Sequence, residues 1–307
     1  MVGTDVPPTT GLEARSAGPG RAAAVAAVAA ATAALGAWAM DWSVLKTAAV
    51  QMAVSPGPLA LALAAYLLAF CLRATAWQQV LPRAVGFGRR LQALLAMLAV
   101  NHALPGPVGE LTRARLVADD RPGGLGFRAA LASVAAARVV DVASIAVLAM
   151  GAAALAGEAP GWLRAAAPAA AALPVAAWAL ARRRGAGLAP GAAARAGAFG
   201  LASWFLECGI VSVVAAAAGL RLSVPAAVLA TCGAVLAQVA AVLPGGVGTY
   251  EAGMSSVLVA LGVPPGDALA VATATHAVKF VFAFALGGPA LLRLRAAAPR
   301  PTAAAPA

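Results

Sequence analysis

Six ionisable side chains lie inside the apolar segments of this sequence, where they could bind a charged group away from bulk water. They are Arg73, Arg138, Asp141, Glu207, His276 and Lys279. A single charge at the centre of a bilayer costs about 3 kcal/mol on insertion scales. Such a group of charges is therefore tolerated only if its members pair with one another or face a wet cavity.

The spacing of these residues indicates which of them share a surface. Arg138 and Asp141 lie three residues apart, so on a helix they share one face and could form a salt bridge that only assists membrane insertion. His276 and Lys279 have the same spacing but cannot neutralise one another. Their face therefore requires an anion, which either Glu207 or a bound substrate could supply.

A six-residue phrase occurs twice, as LPGPVG at residues 104–109 and as LPGGVG at residues 243–248. Proline removes a backbone donor and glycine relaxes the dihedral restraint, so a helix that reaches either phrase must break there. Broken helices at membrane depth are confined to places that are buried in protein or line a polar cavity, and two corresponding breaks are typical of a transporter binding site. The predicted hairpin tips comprise Pro105, Gly106, Gly109, Pro244, Gly245, Gly246 and Gly248.

An acidic residue follows each tip. Glu110 and Glu251 stand where the next helices begin, and the free N–H groups and positive dipole ends of such helices favour an anion. Each carboxylate could be only a favourable helix-terminal charge, or it could carry a proton in concert with His276. Arg113, just after Glu110, could bind a headgroup or anchor the chain at the membrane surface.

The composition identifies an integral membrane protein. The 307 residues are 62% hydrophobic and only 11% charged, with a mean hydropathy of +0.87. In soluble proteins about a quarter of the residues are charged. The net charge of +11 comes mostly from arginines between the apolar runs, which indicates topology and anionic lipid headgroups rather than nucleic acid. The three cysteines have no metal-binding spacing, so we expect neither a metal nor another cofactor.

Nine apolar runs predict an all-α polytopic membrane protein. They cover residues 22–40, 58–81, 91–104, 127–155, 163–181, 197–220, 224–243, 249–263 and 268–292. A helix needs ~20 residues to cross a bilayer core, so the runs at 91–104 and 249–263 are too short to cross. We expect six full spans and, around the tips, two re-entrant or broken helical hairpins. An eight-span arrangement is the alternative, because the run at 224–243 is long enough to cross by itself.

The basic residues predict the orientation of the spans. With six spans and a cytoplasmic N-terminus, only Lys46, Arg164 and Arg221 lie outside, as the positive-inside rule favours. We therefore expect a plasma-membrane protein with both termini in the cytoplasm. The units at 58–155 and 197–292 then have opposite orientations, which predicts an inverted-topology repeat.

The remaining segments indicate no further domain. Residues 1–21 and the basic segment 293–307 are expected to be disordered tails on either side of a transmembrane domain at 22–292. The run at 22–40 is expected to be an uncleaved span rather than a signal peptide. Five tryptophans near the ends of runs are typical of an interfacial aromatic belt: Trp38, Trp42, Trp77, Trp162 and Trp204.

The two motifs with their flanks resemble a known family. LPGPVGELTRARLV and LPGGVGTYEAG are similar to the two signature segments of the lysylphosphatidylglycerol synthase transmembrane-region family. These flippase-like membrane proteins include the N-terminal part of the bacterial multiple peptide resistance factor. The resemblance covers about residues 22–292. It assigns functional positions to Pro105, Gly106, Gly109, Glu110, Arg113, Pro244, Gly245, Gly246, Gly248 and Glu251.

Two departures from the family pattern bear on function. AARVVDVAS around Arg138 and Asp141 looks like the family's charged helix, but Ala137 stands where an acidic residue is common. The sequence has no counterpart of the soluble aminoacyl-transferase domain of longer relatives. We therefore do not expect this chain to make an aminoacylated lipid.

These features predict a lipid translocator for an anionic or zwitterionic phospholipid or a polyprenyl-phosphate lipid. Its headgroup would be bound by Arg73, Arg113, Arg138, His276 and Lys279. Charge balance or proton coupling would fall to Glu110, Asp141, Glu207 and Glu251.

Two other functions stay open at this point. A membrane transferase for lipid-linked intermediates could use Glu110 or Glu251 as a base, although the sequence contains no Walker A, GxSxG or HExxH motif, so we expect no enzyme. An accessory subunit could use the charge pairs for structure alone. The expected partners are membrane lipids and no nucleic acid, with a homo-oligomer or a complex with lipid-modifying enzymes left open.

Overall fold

A computed structural model describes residues 27, 30–31, 34–119, 121–156, 161, 189–238 and 243–296, without the side chain of residue 295. The chain divides into two compact units, Met1–Trp38 and Ala39–Ala307. In the first unit the described residues are helical. The predicted tail at 1–21 and the predicted span at 163–181 lie outside the described residues, as do part of the run at 22–40 and most of the tail at 293–307.

The described part of the second unit consists of helices and contains no strand. Its helices are α1 (Trp42–Val54), α2 (Pro56–Val80), α3 (Phe87–Ala103), α4 (Val108–Val117), α5 (Phe127–Leu155), α6 (Pro190–Glu207), α7 (Gly209–Ala217), α8 (Val224–Ala237), α9 (Thr249–Ala260) and α10 (Pro265–Ala296). A short 3-10 turn, Pro244–Gly246, lies between α8 and α9.

Four segments of the described chain are long and apolar enough to cross a membrane: Pro56–Val80, Phe127–Leu155, Pro190–Ala217 and Pro265–Leu294. They correspond to four of the predicted spans. The prediction of an all-helical membrane protein is therefore confirmed.

Helix α1 was not predicted, because Lys46 and Gln51 interrupt the apolar pattern between the first two runs. Asp41 caps the start of this helix, and its Oδ1 accepts hydrogen bonds from the Ser43 amide at 2.8 Å and the Ser43 hydroxyl at 2.6 Å. The Ser43 hydroxyl and the nearby backbone amides lower the pKa of Asp41 by stabilising its charged form. The segment is thus a capped helix rather than a loop.

The run predicted at 197–220 is two helices, α6 and α7, which meet at Cys208. The Cys208 amide donates to the Phe205 carbonyl at 3.2 Å, which tightens this turn. The Trp204 carbonyl instead accepts from Cys208 Sγ at 3.2 Å. The break places Glu207 at the end of α6.

Two helix pairs are built around the repeated phrase. Helices α3 and α4 are joined by a short turn and pack together, and α8 and α9 also pack together. Each pair also packs on a long helix of the other half of the chain, since α3 contacts α10 and α8 contacts α5. The helices α2 and α6 contact each other as well. Glycines permit this closeness: a Cβ on Gly233 would lie 2.9 Å from the Gly253 carbonyl oxygen.

Candidate functional site

A cavity of about 640 Å³ lies between these helices, and both turns reach it through Gly106, Gly245 and Gly246. Its charged or titratable lining residues from the prediction are Arg73, Glu110, Arg113, Arg138, Asp141, Glu207, His276 and Lys279. The remaining predicted residues do not line the cavity but lie in or beside the turns: Pro105, Gly109, Pro244, Gly248 and Glu251. The structure therefore brings both halves of the predicted site to one cavity.

Glu207, Arg73 and Lys279 form a buried group of charges, the Glu207 cluster. Glu207 is 4% exposed and forms ion pairs with both cations through its two carboxylate oxygens. The Trp204 ring lies 4.1 Å from the Arg73 guanidinium carbon, and the Tyr250 ring lies 5.1 Å from Lys279 Nζ. Aromatic faces thus add to the stabilisation of two cations that share one carboxylate.

Arg138, Asp141, Glu110 and Arg113 form a second group, the Arg138 cluster. Arg138 pairs with Glu110, and its Nη1 lies 3.5 Å from Asp141 Oδ2. Arg113 Nε lies 3.6 Å from Glu110 Oε2. The Arg138 side chain is 44% exposed, far more than its acidic partners, so it is the cation most available to a ligand.

Arg113 is buried in the protein, which does not fit the predicted alternative of a membrane-surface anchor. Its side chain is only 3% exposed and its guanidinium carbon lies 4.5 Å from the centre of the Trp77 ring. Burial makes Arg113 a support for Glu110 rather than the first cation that a ligand meets.

His276, Glu251 and Gly245 form a third group, the His276 cluster. His276 Nδ1 lies 2.7 Å from Glu251 Oε1, and Nε2 lies 3.1 Å from the Gly245 carbonyl oxygen. Glu251 Oε2 accepts from the Gly248 amide at 2.7 Å. Glu251 is thus both a helix-terminal charge and the partner of His276, two roles that the sequence presented as alternatives.

The backbone of the turns is less open to ligands than the sequence predicted. The Gly109 amide donates to Asn101 Oδ1 at 2.9 Å, and the Gly248 amide donates to Glu251. Gly245 has φ +67°, a conformation that favours glycine, and its carbonyl accepts from Gln238 Nε2 at 2.9 Å. The Gly246 amide likewise donates to the Leu243 carbonyl at 3.0 Å, so three of the amides at the predicted tips already have acceptors.

Several site residues were missed or misassigned from sequence. Trp77 and Trp204 were assigned to an interfacial belt, but they are buried against Arg113 and Arg73. Tyr250 is 1% exposed and stacks on His276 with ring centres 4.1 Å apart. The available signal was spacing, since Trp204 lies within one helical turn of Glu207 and Tyr250 is next to Glu251.

Metal binding is not indicated by this chemistry. Within the described residues no group of three or more His, Cys, Asp or Glu side chains is placed to hold a metal ion. The acidic side chains here are instead paired with arginine, lysine or histidine.

Comparison with known protein families assigns the chain to one of them. The model of the lysylphosphatidylglycerol synthase transmembrane region matches residues 22–189 and 181–287. The chain belongs to this family. In this member of the lysylphosphatidylglycerol synthase transmembrane-region family, the matched range includes both turns and every predicted site residue. Neither a curated protein nor a solved structure matches the chain.

Proposed function

We propose that this protein moves an anionic or zwitterionic phospholipid, or a polyprenyl-phosphate lipid, between the leaflets of the plasma membrane. The observation that carries the proposal is Arg138, a partly exposed guanidinium in a cavity of about 640 Å³ between the two turns. A guanidinium binds phosphate oxygens bidentately, and such charge-assisted hydrogen bonds are strong where water is sparse.

Headgroup binding is supported by the different burial of the cations that line the cavity. The distance of 3.5 Å between Arg138 Nη1 and Asp141 Oδ2 is long for an ion pair. Phosphate oxygens can therefore replace this weak contact without unfolding the helix. Arg73 and Lys279 are more buried than Arg138 and share the single carboxylate of Glu207, which leaves a positive charge in excess there. A phosphate thus passes from a half-exposed cation towards a buried positive field.

Alternating access of the cavity is supported by matching contacts in the two halves. The acid after each turn pairs with the first member of an i, i+3 pair on a long helix, as Glu110 with Arg138 and Glu251 with His276. The reciprocal packing of α3 on α10 and of α8 on α5 is what a two-fold relation between halves requires. These features support an inverted repeat with two re-entrant hairpins that open to opposite sides.

A transferase is less well supported by the same contacts. Glu110 is held by Arg138 and Arg113, and Glu251 is held by His276 and the Gly248 amide. Neither carboxylate is set apart as a free general base. We therefore propose that the chain works on lipids without catalysing a reaction.

The test is leaflet exchange in proteoliposomes that contain purified protein and a fluorescent lipid of one headgroup class. Phosphatidylglycerol, phosphatidylethanolamine and a polyprenyl phosphate are compared one at a time. The Arg138→Ala variant removes the exposed guanidinium, so we expect exchange to fall to the rate of protein-free vesicles. Arg128→Ala on the same helix is the control, because Arg128 is outside the cavity lining.

Three results would count against this function. They are full exchange in Arg138→Ala, loss of exchange in both variants, and no exchange of any lipid by folded wild-type protein. Excess inorganic phosphate in the buffer is included as a competitor. Strong inhibition by phosphate with no lipid exchange would instead indicate a site for a soluble anion.

A further inference from the structure

His276 faces two acceptors, and a neutral histidine can donate to only one of them, although the Gly245 carbonyl oxygen also accepts from Gln238 Nε2 at 2.9 Å. One ring nitrogen faces a carboxylate oxygen of Glu251 and the other faces the Gly245 carbonyl oxygen. A carbonyl oxygen can only accept, and a neutral imidazole has only one N–H to donate. Only a histidine with a proton on both nitrogens, the imidazolium, donates to both partners while Glu251 stays ionised.

The surroundings of the ring agree with a positive charge. The Gly248 amide donates to the second oxygen of Glu251 at 2.7 Å, which favours the ionised carboxylate. The face of Tyr250 stacks on the His276 ring at 4.1 Å, and an aromatic face attracts a cation.

The other described titratable groups near the ring make no hydrogen bond to His276. The other histidine, His102, lies 6.1 Å away between ring centres and directs its Nδ1 to the Leu98 carbonyl. Lys279, three residues along α10, is paired with Glu207 of α6. Helix α1 meets the first turn of α10, where the Asp41 amide donates to the Gly266 carbonyl, ten residues before His276.

A proton on His276 changes the net charge of the cavity. Four cations belong to the described lining, namely Arg73, Arg113, Arg138 and Lys279. Four carboxylates belong to the lining or to its direct partners, namely Glu110, Asp141, Glu207 and Glu251. The described site is therefore neutral with neutral His276 and carries one positive charge with the imidazolium.

We infer that His276 is the proton site of this cavity and that one proton is bound together with each monoanionic phosphodiester headgroup. The inference rests on the proposed lipid movement. The proton enters from the water of the cavity and leaves to that water when the headgroup leaves. When it leaves, one ring nitrogen no longer donates, so the bridge between Glu251 and the Gly245 turn opens. A zwitterionic headgroup brings its own cation and needs no proton.

The protonation state is tested directly, because the chain has two histidines. In His102→Asn protein, nitrogen NMR of labelled histidine in nanodiscs containing phosphatidylglycerol reports His276 alone. We expect both ring nitrogens to be protonated at neutral pH. A spectrum with one unprotonated nitrogen would overturn the inference.

The coupling is tested with a pH difference across proteoliposomes. We expect labelled phosphatidylglycerol to accumulate in the leaflet on the alkaline side by up to about tenfold per pH unit, because one proton accompanies each lipid. Labelled phosphatidylcholine should not accumulate. Accumulation should be lost in His276→Asn and in Glu251→Gln, and kept in His102→Asn.

The possible failures are distinguishable. Arg138-dependent exchange without accumulation would overturn the proton site and leave the proposed function intact. Accumulation that survives in folded His276→Asn protein would also overturn it. If no lipid exchanges at all, the proposed function fails, and the NMR spectrum still decides whether His276 holds the proton.

Discussion

Glu207 holds two buried cations in place. It forms ion pairs with Arg73 and Lys279, and the described part of the chain shows no second ion pair for either cation. Lys279 is 6% exposed and Arg73 is 11% exposed, so solvent offers them little compensation. Charges in this setting must be matched by specific protein groups.

We expect Glu207→Gln to destabilise the protein strongly, by roughly 3–5 kcal/mol, because it leaves two uncompensated charges inside the fold. Thermal unfolding of the detergent-purified variant measures the change. Pairing Glu207→Gln with Lys279→Met removes one of the cations and should restore part of the loss. Equal stability of Glu207→Gln and wild type would show that Arg73 and Lys279 have other counter-charges.

The close contact between α3 and α10 depends on a glycine at one position of α10. A Cβ at Gly287 of α10 would lie 2.8 Å from the Ala99 Cβ of α3 and would also clash with the Leu95 carbonyl. A Cβ at the next residue, Gly288, would have no such neighbour within 4 Å. Two adjacent glycines of one helix therefore differ in whether a methyl group fits.

We expect Gly287→Ala to cost about 1–3 kcal/mol of stability, because it forces α3 and α10 apart. Gly288→Ala is the matched control and should be neutral or stabilising by up to about 1 kcal/mol, since alanine is the better helix former. Unfolding midpoints of both variants in the same detergent give the comparison. If both variants lose the same stability, the close contact between α3 and α10 is absent from the folded protein.

On the scale of the whole molecule, the cavity unites two halves whose charges nearly cancel. Each half supplies a broken helix and a charged long helix, and the two halves meet at the ion pair between Arg73 and Glu207. Under the proposed function, such a near-neutral cavity would accept both anionic and zwitterionic headgroups. Its selectivity should therefore respond to the gain or loss of a single charge.

We expect Asp141→Asn to shift the preference of exchange from phosphatidylethanolamine towards phosphatidylglycerol by roughly 30-fold, the factor that corresponds to ~2 kcal/mol. A unit charge ~8 Å away contributes ~2 kcal/mol at an effective dielectric constant of ~20. The asparagine can still accept the hydrogen bond that Trp204 Nε1 donates to Asp141 at 3.3 Å. Exchange rates of the two lipids give the ratio, and Asp119→Asn is the control because Asp119 lies outside the cavity lining. An unchanged ratio in Asp141→Asn would mean that cavity charge does not set selectivity.

Sequence alone determined those properties that depend on local chemistry. Hydropathy identified the membrane protein and four of the spans observed in the described residues. Proline and glycine marked the breaks at Pro105 and Pro244, because their backbone restrictions act wherever they occur. Local signals failed where a helix carried polar residues, as in α1, and where an apolar run changed from one helix to the next, as at Cys208.

Tertiary structure alone decided which charges meet. Arg73 and Glu207 are 134 residues apart, Glu207 and Lys279 are 72 apart, and Glu251 and His276 are 25 apart, so no periodicity connects them. The burial of Arg113 against Trp77 likewise depends on how α2 and α4 are placed by the rest of the chain. Pairing of charges is a property of packing in three dimensions, and a sequence shows only that each charge needs a partner.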